Sequence, residues 1–190
     1  MKKFNKKGFT RTNFIKNLRG FTLIELLIVI ALLGALAVGL LAALDPFEQL
    51  KKGTDTGVRN TVSEIQGAVI RYYAIKNQMP WCDAADCSTF EDGLTDIVTA
   101  ATANTMTNTI ANIVTSGELK TDFATLAGTA TLTKIVVFGS NSAATVQVCY
   151  KPTAKSFTND PNTKFSPTDG ADTCVNTGDP TTNTCLWCVK

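Results

Sequence analysis

Apolar and polar positions divide the chain into three stretches. Residues 1–20 are polar and basic. From Phe21 to Leu44 nearly every position is apolar, with Glu25 the one charge and an uncharged run of 19 residues from Leu26 to Leu44. As a helix, residues 21–44 would rise about 36 Å, enough to cross a hydrocarbon core of about 30 Å. A buried helix of a soluble domain would need neighbours on every side. Nothing else in 190 residues is large enough to surround it. The pattern therefore predicts a membrane-spanning helix over 21–44.

Past Pro46 the period changes. Phe47, Leu50, Val58, Val62, Ile65, Val69 and Tyr72 recur at helical spacings, with Thr54 filling one step. Lys51, Lys52, Arg59, Glu64 and Arg71 fall off this stripe. This is an amphipathic helix with one face for packing. One long helix is expected from about Thr22 to about Lys76, ended by Asn77-Gln78-Met79-Pro80. Gly34, Gly39 and Pro46 are its candidate points of loosening or kinking.

The remaining stretch reads as a small mixed fold. Ser88-Thr89-Phe90-Glu91 has the spacing of a capping box, which predicts a helix burying Phe90, Leu94, Ile97 and Val98. A second short helix is expected from Asn104 to Ser116, stopped by Gly117. Lys134–Phe138 and Thr145–Tyr150, joined by Gly139-Ser140-Asn141-Ser142, predict an antiparallel hairpin. A further strand is possible near Ala154–Phe157. From Asn159 the composition predicts mostly loop. The expected fold class is α+β: a long N-terminal helix packed on a small antiparallel sheet, with a loop-rich C-terminus.

Charge sharpens the topology. Seven of the 18 basic residues lie in the first 20 positions (Lys2, Lys3, Lys6, Lys7, Arg11, Lys16, Arg19), with no acid among them. The other 170 residues carry 11 basic against 16 acidic groups, so the overall +2 hides a body of net −5. A basic block before the span keeps residues 1–20 cytoplasmic and sends residues 45–190 across the membrane. A net acidic body disfavours nucleic acid as partner, although Lys151, Lys155 and Lys164 cluster near the tail. The absence of histidine excludes His-based triads and His metal sites.

All six cysteines (Cys82, Cys87, Cys149, Cys174, Cys185, Cys188) fall beyond the span. An even number outside the cytoplasm predicts disulfides. Cys82–Cys87 is the favoured short loop. Cys149–Cys174 with Cys185–Cys188 is one completion, and Cys174–Cys185 is an open alternative. A four-cysteine zinc site or a redox-active CxxC fits less well, because thiolates would not persist there and no βαβ pattern surrounds the CxxC.

Glu25 is the anomaly of the span. A carboxylate among apolar residues costs on the order of 2.5–3.5 kcal/mol on insertion scales, so a partner or a role is expected. Snorkelling to the headgroups is the plain alternative. So is an ordinary secretory signal cut at Ala35-Leu36-Ala37, though the apolar run continues past it.

Gly20-Phe21-Thr22-Leu23-Ile24-Glu25, after a basic leader and before an unbroken apolar helix, resembles the signal of type IV prepilins and pseudopilins. The resemblance covers roughly residues 8–80. Val69-Ile70-Arg71-Tyr72-Tyr73 and Met79-Pro80 also resemble the end of the long helix in that family. It implies cleavage after Gly20 by a prepilin peptidase and N-methylation of the new terminus at Phe21. It further implies Glu25 pairing with the Phe21 amine of a neighbouring subunit in a homo-oligomeric filament. On this reading residues 1–20 are a removed leader, 21–44 a membrane and filament-core helix, and 45–190 a periplasmic or extracellular domain that begins with the amphipathic helix 45–77. The partners implied are the peptidase and methylase, an inner-membrane assembly platform, and the membrane before assembly. No catalysis and no cofactor are expected. Some pseudopilins bind calcium with acidic loops, and Asp169-Gly170-Ala171-Asp172 is the candidate here, without EF-hand spacing. A major pseudopilin of type II secretion, to which Phe90-Glu91-Asp92-Gly93-Leu94 is faintly similar, and a DNA-uptake pilin are the alternatives to a pilus subunit.

Overall fold

The structure, a computed structural model, describes residues 20–83 and 86–190. The basic leader positions therefore lie outside the described residues. The chain divides into two compact units, Met1–Asp45 and Pro46–Lys190.

The first unit contains α1, Leu23–Ala43. Its length and composition suffice to cross a membrane, and none of its residues is buried. Gly34 and Gly39 lie inside unbroken helix. The break falls later. Leu44 is extended, at φ −101° and ψ 130°, and Asp45 precedes a proline, which disfavours helical dihedrals. Pro46 then opens α2, Pro46–Lys76, at a first-turn position where its missing N–H costs nothing. The single helix expected from Thr22 to Lys76 is thus two helices, with proline starting the second instead of kinking the first.

In the second unit α2 packs on a five-stranded antiparallel sheet of order β1-β2-β3-β5-β4. The strands are β1 Ile97–Thr102, β2 Ile135–Ser140, β3 Thr145–Tyr150, β4 Thr163–Phe165 and β5 Leu186–Val189. β2 and β3 form the expected hairpin, with Val137 opposite Val148. The core joins Val58, Val62, Ile65, Val69 and Tyr72 of α2 to Ile135, Val137, Val148 and Tyr150 of the sheet. Burying a side chain of this size contributes about 1.5–3 kcal/mol. A smaller cluster, Phe138, Cys149, Phe165, Leu186 and Cys188, forms a second core. The apolar stripe of α2 is shorter than its sequence period: Phe47 and Leu50 are exposed. One turn further, Asp55 is buried and accepts hydrogen bonds from the Thr153 N–H and hydroxyl and the Ala154 N–H, each at 2.8 Å.

Three local expectations are overturned. Residues 88–98 form no helix. Asp92 and Gly93 both have positive φ, and the Glu91 N–H donates to the Trp81 carbonyl. The β-branched Ile97-Val98-Thr99 run enters β1. Near 154–157 the chain forms a short helix, α6 Lys155–Thr158, instead of a strand. The tail after Asn159 supplies β4 and β5, and β5 enters the sheet between β3 and β4. The expected second helix is present as α3, Thr107–Thr115, followed by Gly117 at φ 85°. Two one-turn helices follow it, α4 Phe123–Ala127 and α5 Thr129–Leu132. Asp92, from the failed helix, accepts from the Thr109 N–H and hydroxyl and the Asn108 N–H, and so caps α3.

The disulfides are Cys82–Cys87, Cys149–Cys188 and Cys174–Cys185. The Cys149–Cys174 and Cys185–Cys188 pairing is corrected by sheet register. Cys149 of β3 lies directly opposite Cys188 of β5, with Cα atoms 4.1 Å apart.

Candidate functional site

The residues singled out at the N-terminal end lie where irregular backbone meets α1. Gly20 and Phe21 are outside the helix and exposed. A Cβ built on Gly20 would meet nothing within 4 Å. Exposed, non-helical backbone of this kind is what a peptidase can take into its cleft.

Thr22 is the N-cap of α1, extended at φ −76° and ψ 150°. Its hydroxyl accepts from the Glu25 N–H at 3.3 Å. In return the Thr22 N–H and hydroxyl both donate to Glu25 Oε2 at 2.8 Å. This is a complete capping box, and it also places a carboxylate against the positive end of the helix. Glu25 is therefore held by its own chain. Its Oε1 accepts no hydrogen bond among the described residues and remains able to take another donor.

Thr22 joins the candidate residues through its contact with Glu25, and the T-x-x-E spacing is the sequence signal for it; the same spacing at Ser88 starts no helix. The structure brings Thr22 and Glu25 together. Gly34 stands three helical turns away, and Pro46 belongs to the other unit.

The loop carboxylates, the calcium candidates Asp169 and Asp172 and the nearby Asp160, are spread over separate tasks. Asp169 accepts from the Ala171 N–H, and Asp172 pairs with Lys164 at 3.5 Å. Asp160 binds Arg59, whose guanidinium lies 4.1 Å from the Trp187 ring and 4.4 Å from Phe157. Burial pushes the Asp160 carboxyl up, but the Asn162 N–H and Arg59 outweigh it and hold the group below its usual range. Among the described residues no three Cys, Asp or Glu side chains gather as a metal site.

A family model described as the prokaryotic N-terminal methylation motif matches residues 15–41. That motif is the type IV prepilin-type signal, and with an apolar N-terminal helix it fits a membrane-anchored precursor. The match ends inside α1 and does not reach the second unit. No curated protein and no solved structure matches the chain.

Proposed function

We propose that this chain is a structural subunit of a type IV pilus-like filament. It is made as a membrane-anchored precursor, cut after Gly20, N-methylated at Phe21, and assembled by packing of its apolar helix against other copies. It has no catalysis of its own. The observation that carries the reading is the Gly20–Glu25 segment: an exposed bond two residues before a capped apolar helix, inside the matched motif.

The physical logic runs from the cut. Cleavage creates an ammonium at Phe21, beside the capping box. Glu25 Oε1 is available to accept an ammonium, and in the filament the Phe21 ammonium of a neighbouring copy takes that place. An unpaired carboxylate in an apolar core is costly, so the pairing selects one axial register among slipped ones. An uncut leader would offer no ammonium and would carry seven basic residues into that core. On this reading residues 1–20 are the leader, 21–44 the core helix, and 45–190 the domain outside the cytoplasm, where three disulfides suit an oxidising setting.

Mass measurement of the mature amino terminus tests the proposal. A chain starting at N-methylated Phe21 supports it. A chain starting after Ala37, or retaining Met1, refutes it. A pseudopilin would share this processing. The disulfide-tied C-terminal region favours the pilus reading, and genes for a secretin and secretion ATPase beside this one would reverse that order.

A further inference from the structure

The first turns of α2 carry apolar side chains that the head leaves uncovered. Phe47 and Leu50 are 73% and 69% exposed, whereas Val58, Val62 and Ile65 of the same helix are in the core. Left in water, the pair is a free-energy cost that any apolar surrounding relieves. Together they offer roughly 250 Å², against about 800 Å² on each side of a stable protein interface. An area of this size suits a lipid boundary better than a dedicated protein partner.

Covalent reach ties this face to the bilayer. α1 has 21 residues, about 32 Å as a helix, which matches a hydrocarbon core of about 30 Å. Only Leu44 and Asp45 separate its last residue, Ala43, from Pro46. The Pro46 Cα is therefore no more than about 11 Å from the Ala43 Cα. The headgroup layer adds about 5–7 Å on each side of the core. With α1 in a bilayer, Phe47 and Leu50 lie in or beside that layer. Lysines accompany them. Lys51 and Lys52 follow in sequence, and the segment carrying exposed Lys151 and Lys155 is tied to the same stretch of α2. There the Lys155 N–H donates to Glu48 Oε2 at 3.0 Å, and the Thr153 and Ala154 N–H groups donate to Asp55. Glu48 is also paired through Oε1 with Lys51 at 2.9 Å. Asp45, and Asp179 near Lys155, offset part of the remaining charge, so the apolar pair sets the contact and the lysines orient it.

We propose that, before assembly, this face of the head rests on the bilayer surface away from the cytoplasm. Phe47 and Leu50 enter the boundary between headgroups and acyl chains, and the lysines beside them reach the phosphates, as in a short interfacial amphipathic segment. The contact rests on the membrane-anchored reading and adds to it a second hold on lipid, through the head. Assembly then has to release this face as well as extract α1.

Tryptophan quenching tests this, with the full mature chain in vesicles of phosphatidylglycerol and phosphatidylcholine brominated on its acyl chains. Phe47→Trp should add fluorescence, over that of Trp81 and Trp187, that falls about twofold or more when bromine sits at the headgroup end of the chains. Leu33→Trp, in the span, should be quenched by bromine near the chain ends. Ile75→Trp, 63% exposed on the same helix but about 42 Å beyond Phe47, should be unaffected. Adding Leu50→Asp to Phe47→Trp should restore most of the lost signal. Intact disulfides and a wild-type near-UV spectrum exclude misfolding in each variant. Phe47→Trp unquenched while Leu33→Trp is quenched would overturn the contact. Equal quenching at Ile75, or quenching that Leu50→Asp leaves unmoved, would overturn it too. Leu33→Trp escaping quenching would instead sink the membrane-anchored reading, and this contact with it.

Discussion

Asp55 offers the sharpest test of how the head is held together. It is 2% exposed on α2 and accepts three hydrogen bonds, all at 2.8 Å, from Thr153 and Ala154 just after β3. Oδ2 takes both N–H groups, and Oδ1 takes the Thr153 hydroxyl. Asp55→Ala removes every acceptor. The hydroxyl can rotate, but two N–H groups stay unpaired in a site where Ala154 is fully buried. At about 1–3 kcal/mol for each unsatisfied donor, the loss is about 2–6 kcal/mol. For a domain of this size that lowers Tm by roughly 5–25 °C. Asp55→Asn separates geometry from charge: its carbonyl can accept both N–H groups while its NH₂ donates to the Thr153 oxygen, so it should recover more than half the loss. Near-UV circular dichroism melts of the mature chain in detergent would measure both. An Asp55→Ala melt within about 2 °C of wild type would refute the reasoning. An Asn variant as damaged as Ala would show that charge, not hydrogen-bond matching, sets the effect.

Glu25→Val should leave cleavage after Gly20 largely intact and impair assembly, read from the mature mass and the filament yield; normal filaments would remove the ion pair from the mechanism. Removing the β3–β5 staple with Cys149→Ala/Cys188→Ala releases a loop of 39 residues and should cost roughly 3–4 kcal/mol, seen as a lower Tm under non-reducing conditions. Asp160, held below its usual pKa by the Asn162 N–H and Arg59 against the upward push of burial, gives a signed pH effect. Its contribution is present above the unfolded value of about 3.9 and fades as pH falls through the lower folded value. Wild type and Asp160→Asn should therefore differ in Tm at pH 6 and converge near pH 2, and a constant gap would contradict this.

Elements with strong, local patterns were legible in the sequence. The apolar run 21–44 and the β-branched hairpin each carry their own period, and their neighbours agree with it. The stripe on α2 was legible only from Val58 onward. Phe47 and Leu50 keep the spacing but stay exposed, because periodicity states which face is apolar and not how much of that face is buried. Ser88–Glu91 failed for a different reason: a capping box can start a helix only if the next turn continues it, and Asp92-Gly93 does not. The placement of β5 between β3 and β4 depends on a crossover that no local signal records. Once it is known, the Cys149–Cys188 pair follows from register. At the candidate site, Gly20, Phe21 and Glu25 were visible as a motif, whereas Thr22 needed the geometry to show that it holds the Glu25 carboxylate.

That detail bears on what drives assembly. No residue of α1 is buried within its own chain, so on the filament reading its apolar surface is covered first by lipid and then by other copies. Lipid tails are as apolar as leucine, and moving the helix from one to the other gains little hydrophobic free energy. Dispersion packing can favour the filament, but it discriminates weakly between registers one turn apart in a nearly uniform aliphatic helix. A polar term has to supply the register, and Glu25 is the only charge available in residues 21–44. The Thr22 cap lowers the cost of keeping that carboxylate in the membrane, yet it occupies only one of the two oxygens. The precursor is thereby tolerated in lipid without being fully satisfied there. Thr22→Val would raise the cost in lipid and loosen the carboxylate, so slower processing or membrane accumulation of the variant, measured by pulse-chase, is the expected sign. Unchanged kinetics would mean that the headgroups, and not Thr22, solvate Glu25 before assembly.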